Sequence, residues 1–279
     1  MSAKLGAKIW AAMAGAAMAL TATSAWAAGG EPKPWQIDFQ PAASPVMANI
    51  ESFHTLLLYI ITAISLFVLG LLLWIMARYN LRANPTPSKT EHNTLLEVLW
   101  TVVPVIILVI IAIPSFKLLY YEADIPKPDF TIEAIGKQWF WSYQYPQQKF
   151  QFDSLGLSDA DALKRHEPRL LGVDNIIVVP VNKVVKVVIT GADVIHSWAV
   201  PAFGVKMDAV PGRLNETWFK ATQTGTFYGE CSELCGARHA FMPIEVKVVS
   251  QGDFDVWLAG AKKKFAAIDD NTRLAALTQ

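Results

Sequence analysis

The sequence predicts a membrane-anchored protein: a hairpin of two transmembrane helices followed by an all-β domain outside the membrane. Two apolar stretches carry the hairpin. Residues 56–77 and 98–116 are free of charged side chains and long enough to cross a hydrocarbon core of about 30 Å. A change of period carries the β domain. From about Asp129 onward, apolar and polar residues alternate in short β-rich runs punctuated by Pro, Gly and Asn. The composition agrees, being 53% hydrophobic and only 17% charged, with 24 basic against 24 acidic side chains. Such neutrality excludes the basic footprint of a nucleic-acid-binding protein.

Residues 1–27 read as an export signal. Lys4 and Lys8 give a basic start, residues 9–22 a short alanine-rich apolar run, and Ala25-Trp26-Ala27 a small-x-small cleavage site. The alternative, a retained anchor, is disfavoured because the run is short for a bilayer. Residues 28–52, rich in Gly and Pro near their start, are expected to be a mobile lead-in.

The hairpin is expected over residues 53–121. Pro104 and Pro114 fall inside its second span, where membrane helices tolerate proline. The connecting loop holds Arg78, Arg82 and Lys89 against Glu91, whereas the outer flanks carry Glu51, Glu122 and Asp124, with Lys117. The positive-inside rule puts the loop in the cytoplasm and both outer ends outside. Trp74, Tyr79, Trp100, Tyr120 and Tyr121 lie near span ends, as interfacial aromatics do. His54 and Glu97 also sit near span ends, where a solvated side chain is the plain reading; an acid near the apolar phase can also mark a proton route.

The exported domain is expected over residues 122–264, with a tail at 265–279. Phe130, Ile132 and Ala134 alternate with Thr131 and Glu133; Ile244, Val246 and Val248 alternate with Glu245 and Lys247. Further β-rich runs cover residues 176–180, 184–190, 213–220 and 224–229, which together suggest a sandwich or barrel. Trp139, Trp141, Tyr143 and Tyr145 are expected to share one strand face. Residues 154–174 read as a polar surface insertion with a short helix at 158–165, and His166 there as solvated. A closing helix is expected at 253–264, capped by Asp253. Asn215-Glu-Thr217 is a formal glycosylation sequon that a strand makes incidental.

The chemistry concentrates in Cys231-Ser-Glu-Leu-Cys235-Gly-Ala-Arg-His239-Ala-Phe-Met242, which holds the chain's only two cysteines. Two thiolates, an imidazole and a thioether favour a soft metal, copper above all, and methionine is a poor zinc ligand. A further donor is offered by His196, placed after a β-branched run where a strand should end. The competing reading of two cysteines in an exported chain is one disulfide. The three-residue gap and the added donors favour metal.

This loop, together with Gly136-Lys-Gln-Trp139-Phe-Trp141-Ser-Tyr143, Asp193-Val-Ile-His196-Ser-Trp198-Ala-Val-Pro201 and Val210-Pro-Gly-Arg213, resembles subunit II of the haem–copper cytochrome c oxidases. The resemblance runs over nearly the whole chain. It implies a cupredoxin-like Greek-key barrel carrying a binuclear CuA centre. Cys231 and Cys235 would bridge two copper ions, with His196 and His239 each capping one. Met242 would add a weak thioether ligand to one ion and the backbone carbonyl of Glu233 would serve the other. The Glu233 carboxylate would reach a magnesium or manganese ion shared with subunit I. Trp139 would be where electrons arrive from cytochrome c, with Trp141 structural. Glu97 would lie near the mouth of a proton path into subunit I. Asp174, Asp193 and Asp208 match acidic positions at which cytochrome c docks, although Pro146-Gln-Gln-Lys149 is poor in acids where several relatives are rich.

The function so implied is acceptance of electrons from cytochrome c and their transfer to haem in subunit I, where oxygen is reduced to water with proton pumping. The haems and CuB would belong to that partner, and subunit III would accompany it. The implied location is a bacterial inner membrane with the copper domain and both mature termini in the periplasm. Three rivals share features of the pattern. A quinol oxidase subunit II lacks the copper ligands, nitrous-oxide reductase lacks a hairpin before its barrel, and a copper-delivery protein would bind copper reversibly without a delocalised pair.

Overall fold

The computed structural model describes residues 30–267. The expected signal peptide at residues 1–27 lies outside the described residues, as do residues 268–279 of the expected tail.

Helix α1 spans Pro45–Arg78 and helix α2 spans Thr94–Ala123. Both are apolar all round rather than on one face, and side chains such as Phe67, Leu71, Leu108 and Ile113 are exposed within the chain. Surroundings of lipid or partner helices suit such surfaces. Ser44 caps α1, its Oγ accepting from Met47 N at 3.0 Å, and Pro45 follows in the first turn. Asn93 caps α2 by accepting from Leu95 N and Leu96 N at 3.1 and 3.2 Å.

Helix α1 begins well before the expected boundary at residue 53. Its 34 residues measure about 50 Å, more than the roughly 30 Å of hydrocarbon. The surplus is docked beneath the β domain, where Ala43, Ser44, Val46 and Met47 are buried. Ser44 Oγ donates to Phe203 O at 2.6 Å, Ala43 N donates to Ala202 O at 2.8 Å, and Thr222 N donates to Ala43 O at 2.9 Å. The lead-in expected as far as residue 52 is therefore tied down at Gly30, which bonds the backbone of Thr226 and Tyr228, and again from residue 43. At the other end of the hairpin, Trp218 Nε1 donates to Glu122 O at 3.2 Å, and the Tyr121 and Trp218 rings meet edge-on at 5.7 Å.

Strands β1 (Phe130–Lys137), β2 (Phe140–Tyr145), β3 (Phe150–Ser154), β5 (Val184–Gly191), β8 (Asn215–Lys220) and β11 (Ala266–Ala267) form one sheet. Their order is β11-β3-β2-β1-β5-β8. Strands β4 (Ile177–Pro180), β6 (His196–Val200), β7 (Val205–Ala209), β9 (Gly225–Cys231) and β10 (Pro243–Val249) form the second, in the order β4-β10-β9-β6-β7. Parallel pairing of β1 with β5 and of β4 with β10 interrupts otherwise antiparallel ladders. Such crossovers give the cupredoxin-like sandwich that the sequence led us to expect.

The inward residues of both sheets fill the core. Ile132, Ala134, Val185, Val187 and Ile189 come from one, and Trp198, Phe227, Ile244 and Val246 from the other. Two buried tyrosines keep their hydroxyls satisfied. Tyr145 Oη donates to Val178 O at 3.0 Å, and Tyr143 Oη accepts from Trp198 Nε1 at 3.3 Å. Burial pushes both phenols well above the ordinary tyrosine range, so they stay neutral.

Several boundaries differ from expectation. Strands β3, β6 and β7, five residues each, were not expected, nor was the short β11 inside the expected tail. Strand β8 starts at Asn215 rather than 213, because Val210–Arg213 is a turn closed by Arg213 N to Val210 O at 3.1 Å, with Gly212 at φ +75°. Trp139 is not on a strand face but in the β1–β2 turn; only Trp141, Tyr143 and Tyr145 share the buried face of β2. The insertion helix α3 spans Asp159–Arg165 behind its Ser158 cap, and His166 is exposed as expected. The closing helix α4 spans Gln251–Lys264 and is capped by Ser250, not Asp253. Ser250 Oγ accepts from Asp253 N at 3.2 Å and donates to Asp253 Oδ2 at 2.7 Å, so Asp253 is the reciprocal partner of the cap. The sequon asparagine, Asn215, uses its side-chain amide to donate to Asp208 O at 2.7 Å.

Candidate metal centre

One loop and one facing strand end build the site. Strand β9 delivers Cys231 at its last residue, and the following loop returns through Cys235, His239 and Met242 to Pro243, where β10 begins. His196 lies on β6, next to β9, where Trp198 pairs with Cys231. It opens that strand rather than following one: β5 ends at Gly191, and residues 192–195 make the connection. The expected proximity holds, although the strand lies on the other side of the histidine.

Six donors converge. Cys231 Sγ is 3.8 Å from Cys235 Sγ, 3.9 Å from His196 Nδ1 and 3.3 Å from the backbone oxygen of Glu233. Cys235 Sγ is 3.5 Å from both His239 Nδ1 and Met242 Sδ. Both cysteines are free thiols, which disposes of the disulfide reading in this conformation. His196, Cys231, Cys235 and Met242 are buried, His239 is half-buried, and the Glu233 side chain is exposed. Burial opposes ionisation of Cys231, but hydrogen bonding to His196, to the backbone of Glu233 and Ser197 and to Cys235 together outweighs it and brings this thiol down to about 7. Burial and the charge of its neighbour push Cys235 up. One proton thus leaves readily, while the second must be displaced by a metal.

Close packing holds the imidazole. A Cβ at Gly136 on β1 would lie 2.7 Å from the His196 ring, so only glycine fits opposite it. Asp193 fixes the ring's other nitrogen, its Oδ1 lying 2.8 Å from His196 Nε2. The same carboxylate accepts from Gln138 N at 2.7 Å through Oδ2 and from Val194 N at 2.7 Å through Oδ1. Although burial opposes it, these bonds hold the Asp193 carboxyl below the usual range. Although burial also opposes it, bonding to Cys231 and Asp193 raises His196.

The β1–β2 turn packs on the cysteine loop. Gln138 Nε2 and Trp139 Nε1 both donate to Cys235 O, at 2.9 and 3.2 Å. Trp141, fully buried, donates from Nε1 to Met242 O at 3.3 Å and meets the His196 ring edge-on at 6.0 Å. Trp139 is therefore in direct contact with the sulfur loop, and Trp141 is a packing residue beneath it.

The other predicted residues are dispersed. The Asp193 carboxylate holds the His196 imidazole, and its side chain is 35% exposed. The Asp174 carboxylate caps the neck of the insertion, its Oδ1 accepting from Leu155 N and Asn175 N at 2.7 Å each. Asp208 is exposed on β7. Glu97 lies half-buried in the first turn of α2, at the opposite end of the hairpin from the metal loop. His54 packs on Phe39 at 4.7 Å, with Asp38 Oδ1 3.8 Å from its Nε2. Sequence reasoning missed the roles of Gln138 and Asp193 at the centre. An acid three residues before a proposed histidine ligand was the available signal, since ligating imidazoles usually bond a carboxylate through their second nitrogen.

A two-span membrane protein whose β sandwich carries two cysteines, two histidines and a methionine at one point belongs to the class of membrane-bound copper electron carriers. Residues 32–118 match the family model described as "Cytochrome C oxidase subunit II, transmembrane domain", and residues 130–249 match "Cytochrome C oxidase subunit II, periplasmic domain". The chain belongs to the cytochrome c oxidase subunit II family. It is 53% identical over 254 residues to the probable cytochrome c oxidase subunit 2 of Rickettsia bellii, covering 91% of this chain and 94% of that one. It is 44% identical over 271 residues to the Cereibacter sphaeroides subunit 2, covering 89% of each. The crystal structure of the periplasmic domain of Bradyrhizobium japonicum subunit II is 62% identical, covers 51% of this chain and all of that one, and gives a TM-score of 0.48. This chain is accordingly a membrane subunit of a respiratory oxidoreductase, with the electron-transfer role and copper-type site of its family.

Proposed function

We propose that this chain accepts electrons from cytochrome c at a CuA pair and passes them to haem in subunit I of a proton-pumping terminal oxidase. The convergence of six donors within one loop and one strand end carries the reading. Cys231 and Cys235 would bridge two copper ions, His196 and His239 would each cap one, and Met242 and the Glu233 carbonyl would complete the set. When bound, the pair shares one electron over two metals, so that each bond changes little on reduction. The chain's own part is to hold the ligands still: β6 and β9 are paired beside the sulfurs, Gly136 closes on His196, and Asp193 fixes its orientation.

Electrons would arrive through Trp139, whose indole donates to the Cys235 carbonyl and so ends one hydrogen bond from a bridging sulfur's residue. Glu233 is suited to two tasks, its carbonyl turned to Cys231 and its exposed carboxylate free for a magnesium or manganese ion shared with subunit I. Glu97 would lie at the mouth of a proton path completed by subunit I. Among the acids, exposed Asp208 fits a docking role better than Asp174 or Asp193, whose carboxylates already bond backbone amides. The haems and CuB would belong to subunit I, with subunit III alongside. The proposed setting is a bacterial inner membrane with the copper domain in the periplasm. Residues 1–27 would act as a signal peptide, and the tail expected from residue 265 would begin only after β11, which pairs with β3.

Copper analysis and electron paramagnetic resonance of the purified full chain test this. Two coppers per chain and a seven-line mixed-valence pattern are expected. One copper with a four-line signal would overturn the binuclear assignment and favour a copper-delivery role.

A further inference from the structure

Residues 155–174 fold back on themselves as a closed loop on the outer face of the second sheet. Their neck is tied by Leu155 N to Asp174 Oδ1 at 2.7 Å, Asp174 N to Leu155 O at 3.0 Å and Leu157 N to Gly172 O at 3.0 Å. Beneath this loop lies Glu245. Its neighbours Ile244 and Val246 point into the core, so Glu245 belongs to the outward row of β10, where Lys247 is solvated. Yet Glu245 is only 1% exposed, because the insertion covers it. Its Oε2 accepts from Val173 N at 3.0 Å. Beside it, directly across the ladder, Tyr228 donates to Glu167 Oε2 at 2.7 Å. The sheet thus grips the insertion at two points, and a carboxyl buried without a direct cationic partner makes one of them.

The insertion also touches the metal loop. A Cβ at Gly156 would lie 2.9 Å from the Pro243 ring and 3.0 Å from Phe241 O, the residues that flank Met242. We propose that residues 155–174 are a pH-sensitive brace for the cysteine–methionine loop, closed over the neutral carboxyl of Glu245 and loosened when that carboxyl ionises.

The titratable groups around Glu245 and its neighbour Tyr228 come from four elements. The insertion contributes Glu167 and Arg165, β10 contributes Lys247, β9 contributes Tyr228, and the amino-terminal segment brings Glu31 toward Tyr228. Gly30 hydrogen-bonds the backbone of Thr226 and Tyr228, which fixes that segment there. Burial pushes the Glu245 carboxyl up to about 7 against the pull of the Val173 amide; Glu167 adds to the rise, while Lys247 and Arg165 offset part of it. The carboxyl is therefore neutral in mildly acidic surroundings and charged in alkaline ones. Ionised, it sits in a dry site beside the charge of Glu167, and opening the insertion to water relieves both. A protein whose outer face receives pumped protons would thus hold this brace tighter as that face acidifies.

Hydrogen exchange of the full-length, copper-loaded chain, expressed as protection factors between about pH 5.5 and 8.5, tests the proposal. In the wild type, protection of residues 155–174 should fall roughly tenfold or more around neutrality, and residues 236–244 should follow. Glu245→Gln should keep protection high and flat with pH. Glu167→Gln should move the wild-type midpoint to lower pH by removing a neighbouring charge, which keeps the test alive if the first variant folds poorly. The infrared band of a protonated carboxyl should disappear through the same pH range. A pH-independent wild type, or a Glu245→Gln chain that still titrates, would overturn the clasp. Exchange that varied at 155–174 while 236–244 stayed constant would overturn its link to the metal loop. These readings hold whether the centre takes one copper or two, so they fail separately from the electron-transfer assignment.

Discussion

Asp193 is the residue on which the site's rigidity turns. Its carboxylate joins the histidine on β6 to the turn that carries Trp139, and so connects the proposed electron donor contact with a metal ligand. Asp193→Ala leaves His196 Nε2 without its acceptor and the Gln138 amide without a partner. Copper affinity should fall about 10- to 100-fold in a competitive chelator titration, the usual effect of losing an outer-shell carboxylate. Trp139→Leu should do the opposite: copper content stays, while laser-flash electron transfer from reduced cytochrome c slows by at least about tenfold. Four of the six proposed donors, Cys231, Cys235, His239 and Met242, were legible because they lie within twelve consecutive residues, whereas the Glu233 carbonyl came only from the resemblance to a known family. Asp193 was legible only as an acid. Its partner Gln138 lies 55 residues away, and no local pattern reports that distance.

At the scale of elements, uninterrupted apolar runs located both spans and period-two alternation most of the strands, but alternation could not report what covers the outward row of β10. Alternation says which side of a sheet a residue faces, not what covers that side. Alternation puts Glu245 on the outward row, and the insertion laid across the sheet takes it out of water. The sign of the resulting pH dependence follows from its folded value of about 7 against an ordinary 4.5. Below about 4.5 both states hold the proton and no stability is lost. Between those values the unfolded chain releases its proton and the folded chain does not, so stability falls as pH rises. Above about 7 the loss is complete and on the order of 3 kcal/mol. Glu245→Gln should remove this component. In urea melts of the full chain, the variant's advantage over wild type should grow from near zero at about pH 4.5 to its maximum above about pH 7. An advantage that stayed constant with pH would show that Glu245 titrates alike in the folded and unfolded chain, which would overturn the raised value.

For the whole molecule, the decisive relation is between the length of α1 and the thickness of a membrane. About 20 residues suffice to cross, and 34 are helical. The excess lies on the side of the β domain, where the first turn is buried against Ala202 and Phe203 and α2 is met by Trp218. The β domain is therefore seated on the hairpin rather than tethered to it, and the metal loop keeps a set position relative to the bilayer. Which side that is depends on the short connection at residues 79–93, whose Arg82 and Lys89, with Arg78 at the end of α1, argue for the cytoplasm. Protease access to sealed vesicles decides it. In inside-out vesicles the connection should be cleaved and the copper domain protected as one fragment with α2; in right-side-out vesicles the connection should survive. Cleavage at residues 79–93 from the outside would put the metal loop in the cytoplasm, where no periplasmic cytochrome could reach Trp139. Because the two spans enclose a single connection, one cut site reports the orientation of the whole chain.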